Sequence, residues 1–326
     1  MKNLLVVIIV MLCAFVNVFG QCSEIIHLKT QEDIDNFPQN YGCAEIFASL
    51  VIGDTTDPSS NITNLEGLKD LVRIEVNLII YDVADLLNFS GLENLESIGN
   101  YFAVLNNINL KNFVGLENLK SIGGDFATVD NANLENFVGL ENLESIGASL
   151  TVHTNENLEN FVGLENLGNI GVFFDVYENP NLINFTGLEN LETGIDIYVL
   201  DKIGLISLQG LENAIFTGIV AIGENPNLEM CCPMLNWDFS IVGTFLISGN
   251  NGAGCNSVEA VHALCSETAV QAQAFHDINE NGTFDAAEQY LEQKFHFRTL
   301  CFLWLCRRIW DQSFLFNRLW RLYDLL

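Results

Sequence analysis

Seven residues, Asn-Phe-Val-Gly-Leu-Glu-Asn, recur almost unchanged through the middle of this chain. Their Gly-Leu pair falls at Gly67, Gly91, Gly115, Gly139, Gly163, Gly187 and Gly210, in steps of 24 residues with a last step of 23. A fixed period in the twenties makes each copy one coil of a stacked solenoid. A single coil cannot bury its apolar face alone and needs its neighbours to do so. Repetition of this kind builds a long surface and seldom a catalytic pocket.

Within the coil that spans residues 140–158, apolar side chains stand at Leu140, Leu143, Ile146, Leu150, Val152 and Leu158, and Phe161 closes the ring. Leu150-Thr151-Val152 alternates like a short strand with two residues facing inward. Elsewhere the apolar spacing is three, which suits successive turns of a flattened coil. Gly99, Gly123, Gly147 and Gly171 precede each strand, where a bend or a positive φ is expected. Coils stacked at ~4.8 Å turn each repeat position into a ladder. Phe89, Phe113, Phe137, Phe161 and Phe185 form an aromatic core stack in this reading, ended by Leu65 and Leu208. Ile98, Ile122, Ile146 and Ile170 form an aliphatic one. Asn107, Asn131, Asn155, Asn179 and Asn225 form an inward asparagine ladder, interrupted by Lys202, that bonds backbone groups left unpaired at a tight bend. The expected fold is all-β, a right-handed parallel β-helix of about seven 24-residue coils with disulfide-bonded caps. A leucine-rich-repeat horseshoe is the alternative. Its Asn is followed after one residue by Leu, whereas two residues intervene in Asn155-Glu-Asn-Leu158, and no stretch is long enough for a convex-side helix.

The pattern Cys43-Ala-Glu-Ile-Phe-Ala-Ser-Leu-Val-Ile, followed by Leu-x-Gly-Leu-x-x-Leu and Ile-Gly-x-x-Leu-x-Val-x-x-Asn, resembles the receptor L-domain family. Cys231-Cys-Pro-Met-Leu, Gly254-Cys-Asn-Ser257 and Cys265 are similar to the C-terminal cap of its bacterial members. The resemblance covers residues 22–265. It implies a single-stranded right-handed β-helix at the cell surface whose role is binding rather than catalysis, and it names no partner.

The chain opens with a positive start, an apolar run over residues 4–16, and Val18 and Gly20 at the −3 and −1 positions of a cleavage site. Residues 1–20 therefore read as a secretory signal peptide, the run being short of the roughly 20 residues a bilayer requires. Residues 21–293 carry six Lys and Arg against 40 Asp and Glu, a net charge of −34. Such a body repels nucleic acid and anionic membranes and favours solubility. Cys22, Cys43, Cys231, Cys232, Cys255 and Cys265 flank the repeats and none falls inside them. An even count in an exported chain reads as disulfides, with the connectivity left open, and the open ends of a solenoid are where cross-links belong.

After the cap, residues 266–293 contain Asp277-Ile-Asn279-Glu-Asn281-Gly282-Thr-Phe-Asp285-Ala-Ala-Glu288, which matches the twelve-residue calcium loop at every specified position. Asp277, Asn279 and Asn281 would give side-chain oxygens and Thr283 its carbonyl. Asp285 would act through water and Glu288 with both oxygens. The segment resembles the start of a calcium-bearing β-sandwich repeat of bacterial surface adhesins. Residues 294–326 change in language: they hold six basic residues, three of the four tryptophans, Cys301 and Cys306. They read as an aberrant tail from a shifted frame, with a basic membrane-surface segment as the alternative.

The repeated Leu-Glu-Asn places Glu93, Glu117, Glu141, Glu165, Glu189 and Glu212 in one column, read as a solvated edge in preference to a cation-dependent face. Asn61, Asn88, Asn184 and Asn281 lie in sequons that chance explains. A polysaccharide lyase or hydrolase, the enzymatic alternative, needs clustered carboxylates with Arg, Lys or His. Residues 21–293 hold one Arg, Arg73, and scattered His27, His153, His262 and His276. His153 reads as a tolerated surface variant of Val129 and Tyr177, its repeat equivalents. The function expected is a secreted or cell-surface, non-catalytic binding or adhesion module for an extracellular protein or glycan. Specificity should lie where the repeat departs from itself: Tyr101, Asp125, Phe173–Tyr177, residues 195–202, and the caps.

Overall fold

In the computed structural model the described residues are 22–54, 61–194, 196–200, 204–237, 242–250 and 254–269. The signal-peptide segment, the calcium loop 277–288 and the tail 294–326 lie outside them. The chain winds through two parallel sheets that face each other across one apolar core. The broad sheet has ten strands, running from Ile26–Leu28 through Leu150–His153 to Thr244–Ser248. The narrow sheet has eight two-residue strands such as Ser145–Ile146. This is a parallel β-helix. The side of each coil that carries a helix in a leucine-rich horseshoe is here a short strand. The solenoid has about nine turns rather than about seven, because coils at both ends stack on the repeats without the seven-residue phrase. Equivalent residues pair in register, Leu150 with Phe126 and with Phe174. The 23-residue step is absorbed in one turn, since Asn169 pairs with Thr193, 24 residues on, while Phe173 pairs with Asp196, 23 residues on.

The apolar spacing of three has a direct cause. Leu140 N–H donates to the Phe137 carbonyl at 3.1 Å, and Leu143 N–H to the Leu140 carbonyl at 2.9 Å. Consecutive three-residue turns therefore point every third side chain inward. Phe89, Phe113, Phe137, Phe161 and Phe185 stack at centroid separations of 5.2, 5.5, 5.3 and 5.5 Å. A second stack, Phe102 on Phe126 at 4.9 Å, meets the first edge-on. All these rings are fully buried, and each such pair adds roughly 0.5–1.5 kcal/mol beyond its area. The isoleucine ladder extends from Ile46 and Ile74 through Ile98, Ile122, Ile146 and Ile170. Gly194 then leaves a gap, and the Phe216 ring comes within 3.1 Å of where its Cβ would stand.

The phrase Asn-Phe-Val-Gly-Leu-Glu-Asn is accounted for residue by residue. Asn136 Oδ1 accepts the Val138 N–H at 3.1 Å, closing a local turn. Phe137 and Leu140 are core. Gly139 has φ +106, and a Cβ there would be driven into the Phe113 carbonyl of the preceding coil, a conformation and an approach open only to glycine. Glu141 accepts the Gly139 N–H at 2.9 Å. Asn142 Nδ2 donates to the Glu117 carbonyl one coil away at 2.7 Å. The same bonds recur from Gly91 to Gly210, so the glutamate column is a set of turn caps rather than a free edge. Gly147 and its equivalents are not the positive-φ residues: they are glycines because a Cβ would strike the backbone of the coil before.

The corner after each broad strand is held by the asparagine ladder. Asn131 is fully buried. Its Oδ1 accepts the Asn107 N–H at 2.9 Å, and its Nδ2 donates to the Val104 carbonyl at 2.9 Å. Asn107, Asn155 and Asn179 repeat both bonds, and Asn250 joins as a further rung beyond Asn225. Lys202 lies outside the described residues. The residue at the corner before the ladder position is left-handed, and in six coils it is not glycine: Asp82, which precedes Val83, and Asn106, Asp130, Thr154, Glu178 and Glu224, which precede ladder asparagines, have φ between 52° and 58°, while Gly249 precedes Asn250 with φ 70°. At the N-terminal end, Ile34 and Phe37 from two short helices, Gln31–Asp35 and Phe37–Asn40, cover the core. The first helix starts with a capping box between Thr30 and Asp33. Cys22 pairs with Cys43 there, and Cys231–Cys255 and Cys232–Cys265 tie the other end. Trp237 closes that end over Phe216 and donates to the Leu211 carbonyl at 2.9 Å.

Candidate binding surface

A strand puts alternate residues on opposite faces. In the broad sheet one set, such as Leu150 and Val152, fills the core, and the other set faces outward. Down the central outward column the register reads Val51, Ile79, Ala103, Ala127, Thr151, Asp175, Tyr198 and Ala221. For five coils these residues are small or aliphatic. The character changes abruptly on two adjacent strands. Phe173–Tyr177 and Asp196–Leu200 alternate between fully buried inward residues and half-buried outward ones. Phe173, Asp175, Tyr177, Asp196 and Tyr198 thereby share one face, and His153 adjoins them on the next strand, in register with Tyr177.

Asp175 is the most perturbed of these groups. Outward neighbours Phe173 and Tyr177 flank it on its own strand, and Thr151 and Tyr198 oppose it on either side. Burial pushes its carboxyl up to about 7, because desolvation penalises the charged form. It makes no hydrogen bond or ion pair with the described residues. His153 lies against Tyr177, ring centroids 3.6 Å apart, and its Nε2 is 3.2 Å from Glu178 Oε2. Burial lowers the histidine below its ordinary value, outweighing the opposing pull of Glu178 and Asp130. The ring is therefore neutral at pH 7 and donates one N–H to the carboxylate. Tyr198 donates its hydroxyl to Asp196 at 3.3 Å. Both tyrosine hydroxyls are driven well above their usual range, by burial first and by neighbouring carboxylates second.

The predicted departures from the repeat thus divide. Phe173, Asp175, Tyr177 and Tyr198 form the patch. Asp125 serves the fold: its Oδ1 accepts the Ser149 N–H at 3.0 Å. Asp196 does both, accepting the Ile219 N–H at 2.7 Å as well as the Tyr198 hydroxyl. Tyr101 lies in the column of Asp125, several coils from the patch, and residues 195 and 201–203 lie outside the described residues. His153 is more than a tolerated surface variant, since stacking on Tyr177 and a hydrogen bond to Glu178 hold it in the patch. The signal was present, because His153 and Tyr177 occupy the same repeat position on successive coils and must meet.

The calcium-loop residues Asp277, Asn279, Asn281, Thr283, Asp285 and Glu288 fall outside the described part. Among the described residues no three His, Cys, Asp or Glu converge to hold a metal ion, and no helix is long and apolar enough to cross a membrane. Comparison with known proteins returned no matching family model, no matching curated protein and no matching solved structure.

Proposed function

We propose that this chain is an exported, non-catalytic binding module that engages an extracellular protein or glycan through the outer face of its broad sheet. One observation carries the reading. The two adjacent strands on which the central outward column abandons its small or aliphatic residues bring three aromatic rings and two carboxylates onto one surface. Rings supply large contact area at low entropic loss, and tyrosine adds a polar tip. Their backbone is fixed by the parallel ladder on both sides, so little ordering is required on binding. The three disulfides fit an oxidising compartment, as does the signal-peptide reading of residues 1–20, and the receptor L-domain resemblance points to the same role. A calcium ion at residues 277–288 belongs to the proposal as a stabiliser of the following segment.

The test is to probe arrays of glycans and of secreted proteins with the full chain and with Tyr177→Ala and Tyr198→Ala. The expected result is a ligand whose binding falls at least tenfold in both variants. A ligand bound equally by both variants would move the site off this face. Degradation of a polysaccharide would favour the carbohydrate-active alternative.

A further inference from the structure

We propose that the patch receives a cationic side chain, a lysine or arginine of a partner polypeptide, with its charge against Asp175 and its stem along Tyr177 and Tyr198. This rests on the broad face being the binding surface. A half-buried carboxyl without a protein partner is unusual, because an isolated buried charge is costly unless paired. The charged groups nearby offer no compensation. The patch and the adjoining corner contribute Asp130, Glu178 and Asp196, and His153 is neutral. The strands Phe126–Val129, Leu150–His153, Phe173–Tyr177 and Asp196–Leu200 contain no Lys or Arg. Among the described residues the site is therefore acidic and has no counter-charge.

The shape selects among cations. No metal-ligand triad is present among the described residues. Aspartate is the shortest acid, and Phe173, Tyr177 and Tyr198 stand taller around it. A slender aliphatic stem can lie on those rings while its charged end reaches down, and the ring faces attract the cation as well. A sugar ring is broader, and neutral hydroxyls would leave the charge uncompensated. Burial holds the carboxyl up to about 7 in the free protein, so cation binding must be coupled to loss of its proton. Affinity should rise about tenfold from pH 6 to pH 8, as the ionised fraction goes from about a tenth to about nine tenths.

The experiment is calorimetric titration of the full chain with tetralysine and with its fully side-chain-acetylated counterpart, at low salt and at both pH values. The proposal expects tetralysine to bind about tenfold more tightly at pH 8, the acetylated peptide to bind at least tenfold more weakly, and Asp175→Asn to abolish the pH dependence. Glu96→Gln removes one exposed carboxylate elsewhere and should change nothing, which separates the site from attraction to the acidic body. Equal binding by wild type and Asp175→Asn overturns the inference, and so does equal binding of the two peptides or preference for an oligosaccharide. Asp175→Asn should fold, as its melting curve will verify, since it removes an unpaired charge. A ligand that depends on Tyr198 but not on Asp175 leaves the broad-face reading standing while this inference falls.

Discussion

Replacing Asn131 with Ala should cost far more than its size suggests. The side chain is fully buried. Its loss would strand the Asn107 N–H, now bonded at 2.9 Å, would take from the Val104 carbonyl a 2.9 Å bond made in addition to its place in the strand ladder, and would remove a 3.0 Å partner from the Thr128 hydroxyl. A buried group left unpaired costs about 1–3 kcal/mol, the loss expected for the Asn107 N–H, with the low end reached if water enters the space. Asn131→Asp is no remedy: it keeps an acceptor for Asn107 but turns an oxygen toward the Val104 carbonyl and buries a charge. Asn142→Ala is the control. It also deletes a cross-coil bond, 2.7 Å to the Glu117 carbonyl, but at an exposed position where water replaces the donor, and should cost under about 1 kcal/mol. Urea denaturation followed by circular dichroism reads the totals. Amide exchange reads the cause, because the Asn107 N–H should lose its protection in Asn131→Ala while amides of distant coils keep theirs. If Asn131→Ala matches Asn142→Ala in stability and the Asn107 amide stays protected, the ladder does not hold the corner and the reasoning is wrong.

Three further predictions follow from the same bonds and groups. Gly139→Ala, at φ +106 and against the Phe113 carbonyl, should destabilise by at least about 3 kcal/mol. Gly168→Ala, whose new Cβ meets nothing closer than 3.8 Å, should be neutral or slightly stabilising; equal melting temperatures for the two variants would contradict this contrast. Asp175 binds its proton more tightly folded than unfolded, with a value moved from 3.8 to about 7. Stability should therefore fall as pH rises from about 4 to about 7, by a ceiling of roughly 4 kcal/mol. Asp175→Asn should remove that fall, so that its advantage over wild type is larger at pH 8 than at pH 5, and an equal advantage at both refutes the assignment. Calcium should raise the melting temperature of the full chain, and Asp277→Ala should abolish the rise; a null result in both would remove calcium from the reading.

Much of the architecture was legible because it is written in columns of one residue type. Phe89 to Phe185, Ile98 to Ile170 and Asn107 to Asn179 each keep their identity, and identical side chains at one period must stack. The second aromatic stack was hidden because its column mixes Leu78, Phe102, Phe126, Leu150 and Phe174, all of which satisfy the same apolar requirement. The left-handed corner was hidden for the opposite reason: Asp82, Thr154 and Glu178 share a backbone conformation but no chemistry, and none is the glycine that usually marks it. Glycine columns were visible, yet their cause was not. Gly91 to Gly210 take positive φ, whereas Gly99 to Gly171 yield room to a neighbouring backbone, and only the stacked coordinates separate the two. In the site, Phe173, Asp175, Tyr177 and Tyr198 stood out as departures from the repeat. His153 did not, because its role depends on the neighbour it stacks upon.

The division of labour around the coil explains why recognition should sit where we place it. On the turns, side chains that could meet a ligand are committed to backbone groups. The Gly-Leu-Glu-Asn glutamates cap glycine N–H groups, the following asparagines bridge coils, and the inner asparagines hold the corner. A substitution at any of these strands a backbone partner as well as altering the surface, so these positions change little from coil to coil. In the broad sheet the backbone is already satisfied strand to strand, and an outward residue such as Ala127 or Tyr198 bears no backbone duty in the central column. Those positions can vary at low cost. From Ala127 through Thr151 and Asp175 to Tyr198 the residue changes in size or charge at every coil, whereas Phe113, Phe137 and Phe161 beneath them do not differ at all. The Asp125 and Asp196 bonds to the next coil mark the limit of that freedom: they stand in the first outward column, beside the turn, where backbone N–H groups again need acceptors.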